Sequence, residues 1–481
     1  MLSGAGHVLH VWRIRLIRNP VLKLTGIGDL VNAFAYARAV GMVEELMRLD
    51  RAGLERFREQ RLREIVKHAY ENVEVYHRKW RRAGVRPDDI RTLGDLAKLP
   101  IITKDDLRQS PLSDILSRTL KARDCYMLST SGSSGTPTRF YVDEGRAMVD
   151  CALSLPKYMA GMPAVGIASV IRDFLWRRHI TFMAIVVPQE YPFHQMFWTM
   201  KHTVVDSLAP PDVHIRAING KKPRYLSSYP SVVRNICMAA REKGITMHRP
   251  QLILVAGEVV DNHLRDLVRR TFGTDLMDVY GTTELGYVAS ECMKHEGMHI
   301  FDWKVVLELL GEDGREVPAG QTGRVVITDL FSTATPIIRY GGLGDYAVRK
   351  EGPCSCGSPL PLLGRVEGRI VDTVVLPDGQ TVHPYNLTLA LEDTPCLSKF
   401  QIRQEQPDYL RVLLVKDKTP EAESVSFARE GSIGQQIVER FDRILKHQVR
   451  IDLVTVEDIP VRPGSRKYAT VVSLVKHGDR L

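Results

Sequence analysis

Small hydroxyl residues and glycines crowd the segment Thr130-Ser131-Gly132-Ser133-Ser134-Gly135-Thr136-Pro137. Glycine lets successive backbone N–H groups turn toward one anion, and Ser and Thr hydroxyls add donors without filling the space, so the loop is suited to cradle a polyphosphate. No Gly-Lys-Ser/Thr closes it, and Arg139-Phe140-Tyr141-Val142 behind it reads as a strand rather than a helix, which excludes the P-loop of common NTPases. A flexible Ser/Gly linker has the same composition, so the meaning of the loop depends on its company.

That company is ordered along the chain. Val279-Tyr280-Gly281-Thr282-Thr283-Glu284 follows an expected strand and holds an aromatic ring, a tight turn, two hydroxyls and a carboxylate. Such a turn could stack a base, donate to a phosphate and ligate magnesium. Arg339-Tyr340-Gly341-Gly342-Leu343-Gly344-Asp345 sets a carboxylate behind a glycine-rich turn, as an approach to ribose hydroxyls requires. Gly364-Arg365, Gly368-Arg369 and the tail segment Arg462-Pro463-Gly464-Ser465-Arg466-Lys467 come next. Separately, Cys292 and His299 bracket residues 293–298, while Cys354 and Cys356 flank Ser355. Three thiolates and one imidazole can close a tetrahedral Cys3His zinc site, with His295 as an alternative to His299 and free buried cysteines as the bland reading.

The elements that must position these groups read as α/β. With 481 residues and 44% hydrophobic content, the chain has material for two to four domains of about 100 to 200 residues. Residues 1–82 form a helical, basic N-terminal extension and lead-in, with Leu46, Leu54, Phe57, Leu62, Ile65 and Val66 at helical spacing. Over 83–369, apolar runs such as Ala184–Val187 and Leu252–Ala256 alternate with helical stretches such as Asp261–Arg270, predicting a substantially parallel sheet. Over 370–481, a hairpin around Asp378-Gly379, strands at Leu410–Val415 and Val449–Val456, and a helix at Ile433–Leu445 predict a small α+β domain.

Charge and composition narrow the function classes. The net charge of +9 suits an anionic substrate, yet 66 basic and 57 acidic residues are interleaved, and no nucleic-acid motif surrounds the basic runs, so nucleic-acid binding is not indicated. Seven cysteines, odd in number and mostly isolated, argue for a reducing, cytoplasmic setting. Arg13, Arg15 and Arg18 break the apolar N-terminus and spoil a membrane span, leaving peripheral contact with an anionic surface as the alternative to packing on the protein. Gly4-Ala5-Gly6 and Gly26-Ile27-Gly28 lack the rest of a dinucleotide fingerprint. The sequence leaves oligomeric state open, a homodimer included.

In this order the motifs resemble the adenylate-forming (AMP-binding) superfamily, and within it the phenylacetate-CoA ligase family with its capsule-biosynthesis and deazaflavin-adenylylating relatives. Val75-Tyr76, Leu93–Leu107 and Cys354-Ser355-Cys356-Gly357 also look like this family. The resemblance implies an α/β fold: a large N-terminal adenylate-forming domain with mixed or parallel sheets and helices, plus a small mobile α+β C-terminal lid. It implies that Thr130 to Thr136 hold the ATP phosphates, that Gly257 and Glu258 line the adenine pocket and that Tyr280, in Tyr280-Gly281-Thr282, lies against the base. Thr283 would touch the α-phosphate, Glu284 would help bind Mg2+, Asp345 would take the ribose with Arg365 or Arg369 nearby, and Lys467 would reach in from the lid. A lysine suits that task because carboxylate attack on phosphorus concentrates negative charge.

Three positions depart from the family's pattern. Thr136, Pro137 and Thr138 stand where many relatives have a lysine, Asp345 is one residue further from Tyr340 than usual, and the acidic hinge position is Val371 or Glu367 depending on which arginine is aligned. The function implied is activation of a carboxylic acid by ATP followed by transfer to coenzyme A. Adenylyl transfer to a hydroxyl, transfer of the activated acid to an amine or carrier protein, and a non-catalytic ATP-binding role in a surface-polysaccharide pathway remain as alternatives.

Overall fold

The computed structural model describes residues 38–129, 138–153, 181–186, 201–207, 209–369, 374–378, 381–382, 387–388, 390–391, 394–417, 422, 424–428, 432–459 and 470–475. After a helix over 38–47 come α1 (Arg51–Asn72) and α2 (Glu74–Arg82). In α1 the buried Leu54, Arg58, Leu62, Ile65, Val66 and Ala69 recur at the three- and four-residue spacing that makes one face, and Asp50 caps the helix by accepting from the Gly53 N–H at 2.7 Å. Tyr76 and Trp80 of α2 are fully buried; the Tyr76 hydroxyl donates to the Pro336 carbonyl at 2.7 Å. These helices therefore share the core of the large sheet.

A short hairpin, β1 (Tyr126–Ser129) and β2 (Arg139–Val142), precedes α3 (Glu144–Leu153). Then β3 (Thr181–Val186), β4 (Lys201–Asp206), α4 (Pro211–Lys221), β5 (Tyr225–Ser228), α5 (Pro230–Glu242), β6 (Leu252–Ala256), α6 (Asn262–Phe272) and β7 (Leu276–Thr282) alternate. In this half the ladders β3–β4, β3–β5, β5–β6 and β6–β7 are all parallel, as the alternation predicts. Helix α6 shows how the sequence builds it: Asp261 accepts from the Leu264 N–H at 2.7 Å, and Leu264, Leu267, Val268 and Phe272 bury one stripe.

The second half of the same sheet makes it mixed, as the expected fold class allows, although the apolar runs alone pointed to a mostly parallel sheet. Strands β8 (Gly286–Glu291), β9 (Met298–Ile300), β10 (Val305–Leu310), β11 (Thr322–Asp329), β12 (Asp345–Arg349) and β13 (Leu362–Arg369) all join antiparallel, giving an eleven-stranded mixed sheet in the order β10-β11-β12-β13-β9-β8-β7-β6-β5-β3-β4. The cause is connection length: only three residues link β7 to β8, too few for the crossover a parallel pair needs. The family-like segment near Leu99 packs here, with Ile102 bridged to Tyr340 and Arg339 donating to the carbonyls of Ala97 and Leu99 at 2.9 and 2.5 Å.

Beyond β13 lie the expected hairpin, β14 (Val374–Val375) with β15 (Thr381–Val382), and a separate four-stranded sheet. That sheet is built from β16 (Leu397–Gln406), β17 (Tyr409–Lys416), β18 (Arg450–Thr455) and β19 (Val471–Ser473), with α7 (Ser432–Ile444) packed on it around its own apolar cluster. It meets the large sheet's helices through polar contacts: Arg234, paired with Asp261 at 2.5 Å, donates to the Ser398 carbonyl at 2.9 Å, and the His263 ring contacts the Leu391 carbonyl at 3.2 Å.

Candidate active site

Two of the glycine-rich segments, Tyr280–Thr282 and Tyr340–Asp345, meet near the junction of the parallel and antiparallel halves. Strand β7 runs through Tyr280, Gly281 and Thr282 itself, so the motif is the end of the strand plus its turn rather than a segment after it. Asp345 begins β12, four strands away in the sheet order, yet the Tyr280 hydroxyl donates to its carboxylate at 2.9 Å and both residues are buried. The extra residue between Tyr340 and Asp345 does not prevent that meeting. Backbone pairing sets Asp345 opposite Arg369 and Val348 opposite Arg365, so of the two Gly-Arg pairs the second has its main chain directly across from the aspartate.

Between β7 and β8, Thr282 pairs with Gly286 and its hydroxyl accepts from the Leu285 N–H at 3.1 Å, which closes the turn carrying Thr283 and Glu284. Two glycines make this turn feasible. A Cβ at Gly281 would come within 2.7 Å of the Gly286 carbonyl oxygen, and Gly286 adopts φ +62° with its α-carbon against the Asp150 carboxylate, where any side chain would collide. Thr283 is half-buried and Glu284 is buried.

Gly257 and Glu258 follow the end of β6. The Glu258 carboxylate accepts from the N–H and hydroxyl of Ser231, at 2.8 and 3.0 Å, in the first turn of α5, where the helix dipole favours an anion. The candidate phosphate loop, Thr130–Thr136, joins β1 to β2, and the last and first residues of those strands, Ser129 and Arg139, are paired. The loop itself, Lys467, Val371 and residues 1–37 of the N-terminal extension lie outside the described residues.

This geometry fits a nucleotide site, and the sequence agrees. Residues 54–331, more than half of the chain, match the family of AMP-binding enzymes. The chain belongs to that family. It is 26% identical over 407 residues to a phenylacetate-coenzyme A ligase of Thermus thermophilus, covering 82% of this chain and 86% of that one. It is 22% identical to the protein CapK of Staphylococcus aureus, over 72% of this chain and 75% of that protein. Among solved structures, a 2-hydroxyisobutyryl-CoA ligase bound to an acyl adenylate superposes with a TM-score of 0.71 at 19% identity, over 88% of this chain and 90% of the other, a likeness of fold.

In this member of the AMP-binding family a second set of sequence candidates also comes together. Cys292, His299, Cys354 and Cys356 each offer one donor atom, all within 4.8 Å of one another. Cys292 Sγ lies 3.6 Å from Cys354 Sγ, and Cys356 Sγ lies 3.4 Å from His299 Nε2. Metal–ligand bonds of about 2.3 Å to sulfur and 2.0 Å to nitrogen at tetrahedral angles require separations of about 3.5 to 3.8 Å, so these two separations suit ligands of one Zn2+. Burial and the neighbouring thiols push the Cys354 thiol up to about 12, although the Cys356 backbone N–H opposes the rise. His295 is engaged elsewhere, between Glu291 at 3.3 Å and Asp275 at 3.4 Å, which leaves His299 as the imidazole of the cluster. Glu296 pre-forms the surroundings by accepting from the N–H and hydroxyl of Ser355 at 2.9 and 2.6 Å.

A third group has no counterpart among the sequence candidates. Arg146 and Asp150, one turn apart on α3, are joined by a 2.7 Å bond, and Arg146 also meets Asp329 at 3.0 Å. Lys304 reaches Asp150 at 2.7 Å. All four side chains are buried: Lys304 and Asp329 are 0% exposed. Burial lowers the Lys304 pKa against the pull of Asp150, whereas for Arg146 burial is outweighed by the carboxylates of Asp150 and Asp329 and its pKa rises.

Proposed function

We propose that this AMP-binding enzyme activates a carboxylic acid with ATP and passes the acyl group to coenzyme A. In the first half-reaction a carboxylate oxygen attacks the α-phosphorus, forming acyl adenylate and expelling pyrophosphate. In the second the thiol sulfur attacks the acyl carbon, the bond from that carbon to the phosphate oxygen breaks, and AMP leaves while the thiol proton passes to solvent. The observation that carries the reading is the contact between Tyr280 and Asp345, two residues 65 positions apart, at the mouth of the turn bearing Thr283 and Glu284. Their pairing suits an adenosine whose base lies on the ring and whose ribose hydroxyls are held by the carboxylate.

Further roles follow the family pattern. Residues 130–136 hold the phosphates, Glu284 is the ligand for Mg2+, which neutralises phosphate charge when bound, and Lys467 stabilises the attacking carboxylate from a lid formed by residues 370–481. The similarity to phenylacetate-coenzyme A ligases over most of both chains supports coenzyme A as acceptor and a small organic acid as substrate. Cys292, His299, Cys354 and Cys356 would hold Zn2+ as a closed structural site, with all four positions taken by protein. The free cysteines suit the cytoplasm, and among the described residues no helix is long and apolar enough to cross a membrane.

The test is exchange of labelled pyrophosphate into ATP across aryl and alkyl acids, then thioester formation on adding coenzyme A. Acid-dependent exchange followed by thioester is the expected result. Exchange without consumption of coenzyme A would redirect the acyl or adenylyl group to another acceptor, and silence over the whole panel would overturn acid activation.

A further inference from the structure

The buried group on α3 and beneath the sheet has a direction. Arg146 Nη1 donates to the Glu284 carbonyl at 3.2 Å, and Lys304 Nζ donates to the carbonyls of Leu285 at 2.5 Å and Tyr287 at 2.8 Å. Three carbonyls of one four-residue stretch thus point at two cations that no solvent reaches. Asp150 touches both cations and lies against Gly286, between those carbonyls, so the anion that fixes the cations also occupies the space a side chain at 286 would need. Asp329 completes a neutral set of two positive and two negative groups.

We propose that Lys304 and Arg146 are positioning residues of the reaction: they clamp the main chain of residues 284–287 from within the protein and so fix where Thr283 and Glu284 present their side chains. The proposal rests on the reading above for what those two side chains do, but the clamp itself is a statement about the turn. Its physical basis is the cost of burying charge. A cation removed from water gains its place only if its donors are satisfied, and here the donors are satisfied by the backbone of the functional turn as well as by aspartates. Movement of the stretch 284–287 would strip Lys304 of two of its three partners, so the turn and the start of β8 are held far more tightly than the turn's length alone would allow. A ligand held by such a backbone is oriented before metal and phosphate arrive.

The test compares three forms of the full chain: wild type, Lys304→Met, and Lys304→Met with Asp150→Asn, the last restoring neutrality in case the single change leaves an uncompensated aspartate and fails to fold. Hydrogen–deuterium exchange without ligands reads the clamp directly. The amides of 283–287 should exchange roughly 10-fold faster or more in whichever variant folds, while the Cys354–Cys356 region keeps its wild-type rate. In pyrophosphate exchange the Mg2+ concentration for half-maximal rate should rise about 10- to 100-fold, the loss expected when a group supporting a metal ligand is removed. Adding Glu284→Gln to the neutral variant should cost far less than it costs wild type, because both changes act through one side chain.

Unchanged amide exchange over 283–287 in a folded variant overturns the clamp. So does an unmoved Mg2+ requirement with only the maximal rate reduced, which would mark a general loss of packing. If wild type shows no pyrophosphate exchange with any acid, the functional reading fails while the amide measurement still decides the clamp.

Discussion

Strand β8 is six residues long and is pinned at its two ends by opposite kinds of chemistry. At its start, Gly286 follows the turn with Thr283 and Glu284, and the grip is electrostatic: buried ammonium and guanidinium groups on backbone carbonyls. Just past its end, Cys292 joins two further cysteines and a histidine in a cluster suited to a soft metal. The charged end leaves the turn's side chains unused by the clamp and available for substrate. On the proposed zinc reading the thiol end would spend all four donors on the metal, so it would hold but offer no open position for chemistry. On the proposed function one strand therefore separates a poised site from a staple, and each end predicts a different response to perturbation.

The largest effect should come from Glu284→Gln, which keeps the shape and removes the negative charge. Pyrophosphate exchange should fall about 100- to 1000-fold, the scale for losing a group that stabilises charge in the transition state, with an unchanged melting temperature. Equal losses in rate and stability would erase the distinction between the ends. Next is the staple. Cys354→Ser, or exhaustive chelation, should release about one zinc per chain and destabilise the protein on the order of 3 kcal/mol, with activity falling only as the folded fraction falls. Protein purified without chelator that holds far less than one zinc per chain would break this half of the comparison.

Gly286→Ala lies between the extremes because it strains the backbone and pushes on Asp150 together. It should cost roughly 1 to 3 kcal/mol in stability and lower exchange at the same time. The smallest change is Tyr280→Phe, which removes one hydroxyl from Asp345. It should raise the KM for ATP about fivefold, corresponding to roughly 1 kcal/mol for one hydrogen bond, and leave zinc content and melting unchanged.

The two ends also differ in how far the sequence reveals them. Cysteines are rare enough that four ligands in two close pairs stand out, and the choice between His295 and His299 needed only the partners of His295. The glycine turns were legible for a related reason: close approaches such as Gly281 to Gly286 accept no other residue. Arg146 and Asp150 were not, because a charged pair at i and i+4 is common on solvated helix faces and nothing local distinguishes a buried one. Lys304 sits in an apolar run more than 150 positions away from Arg146. A mixed sheet was expected from the resemblance, but which strands are antiparallel was not legible, for a similar cause. Strand β10 is buried on both faces, so Val305–Leu310 shows no alternation from which pairing direction could be read.

The central claim is that a carboxylate oxygen of the substrate bonds to the α-phosphorus of ATP. Supplying the acid with 18O in both carboxylate oxygens, together with ATP and coenzyme A, follows that oxygen directly. The account predicts one labelled oxygen in each AMP released and unlabelled pyrophosphate, because the acyl–oxygen bond is the one the thiol breaks. Label in inorganic phosphate, or AMP without label while thioester forms, would contradict it.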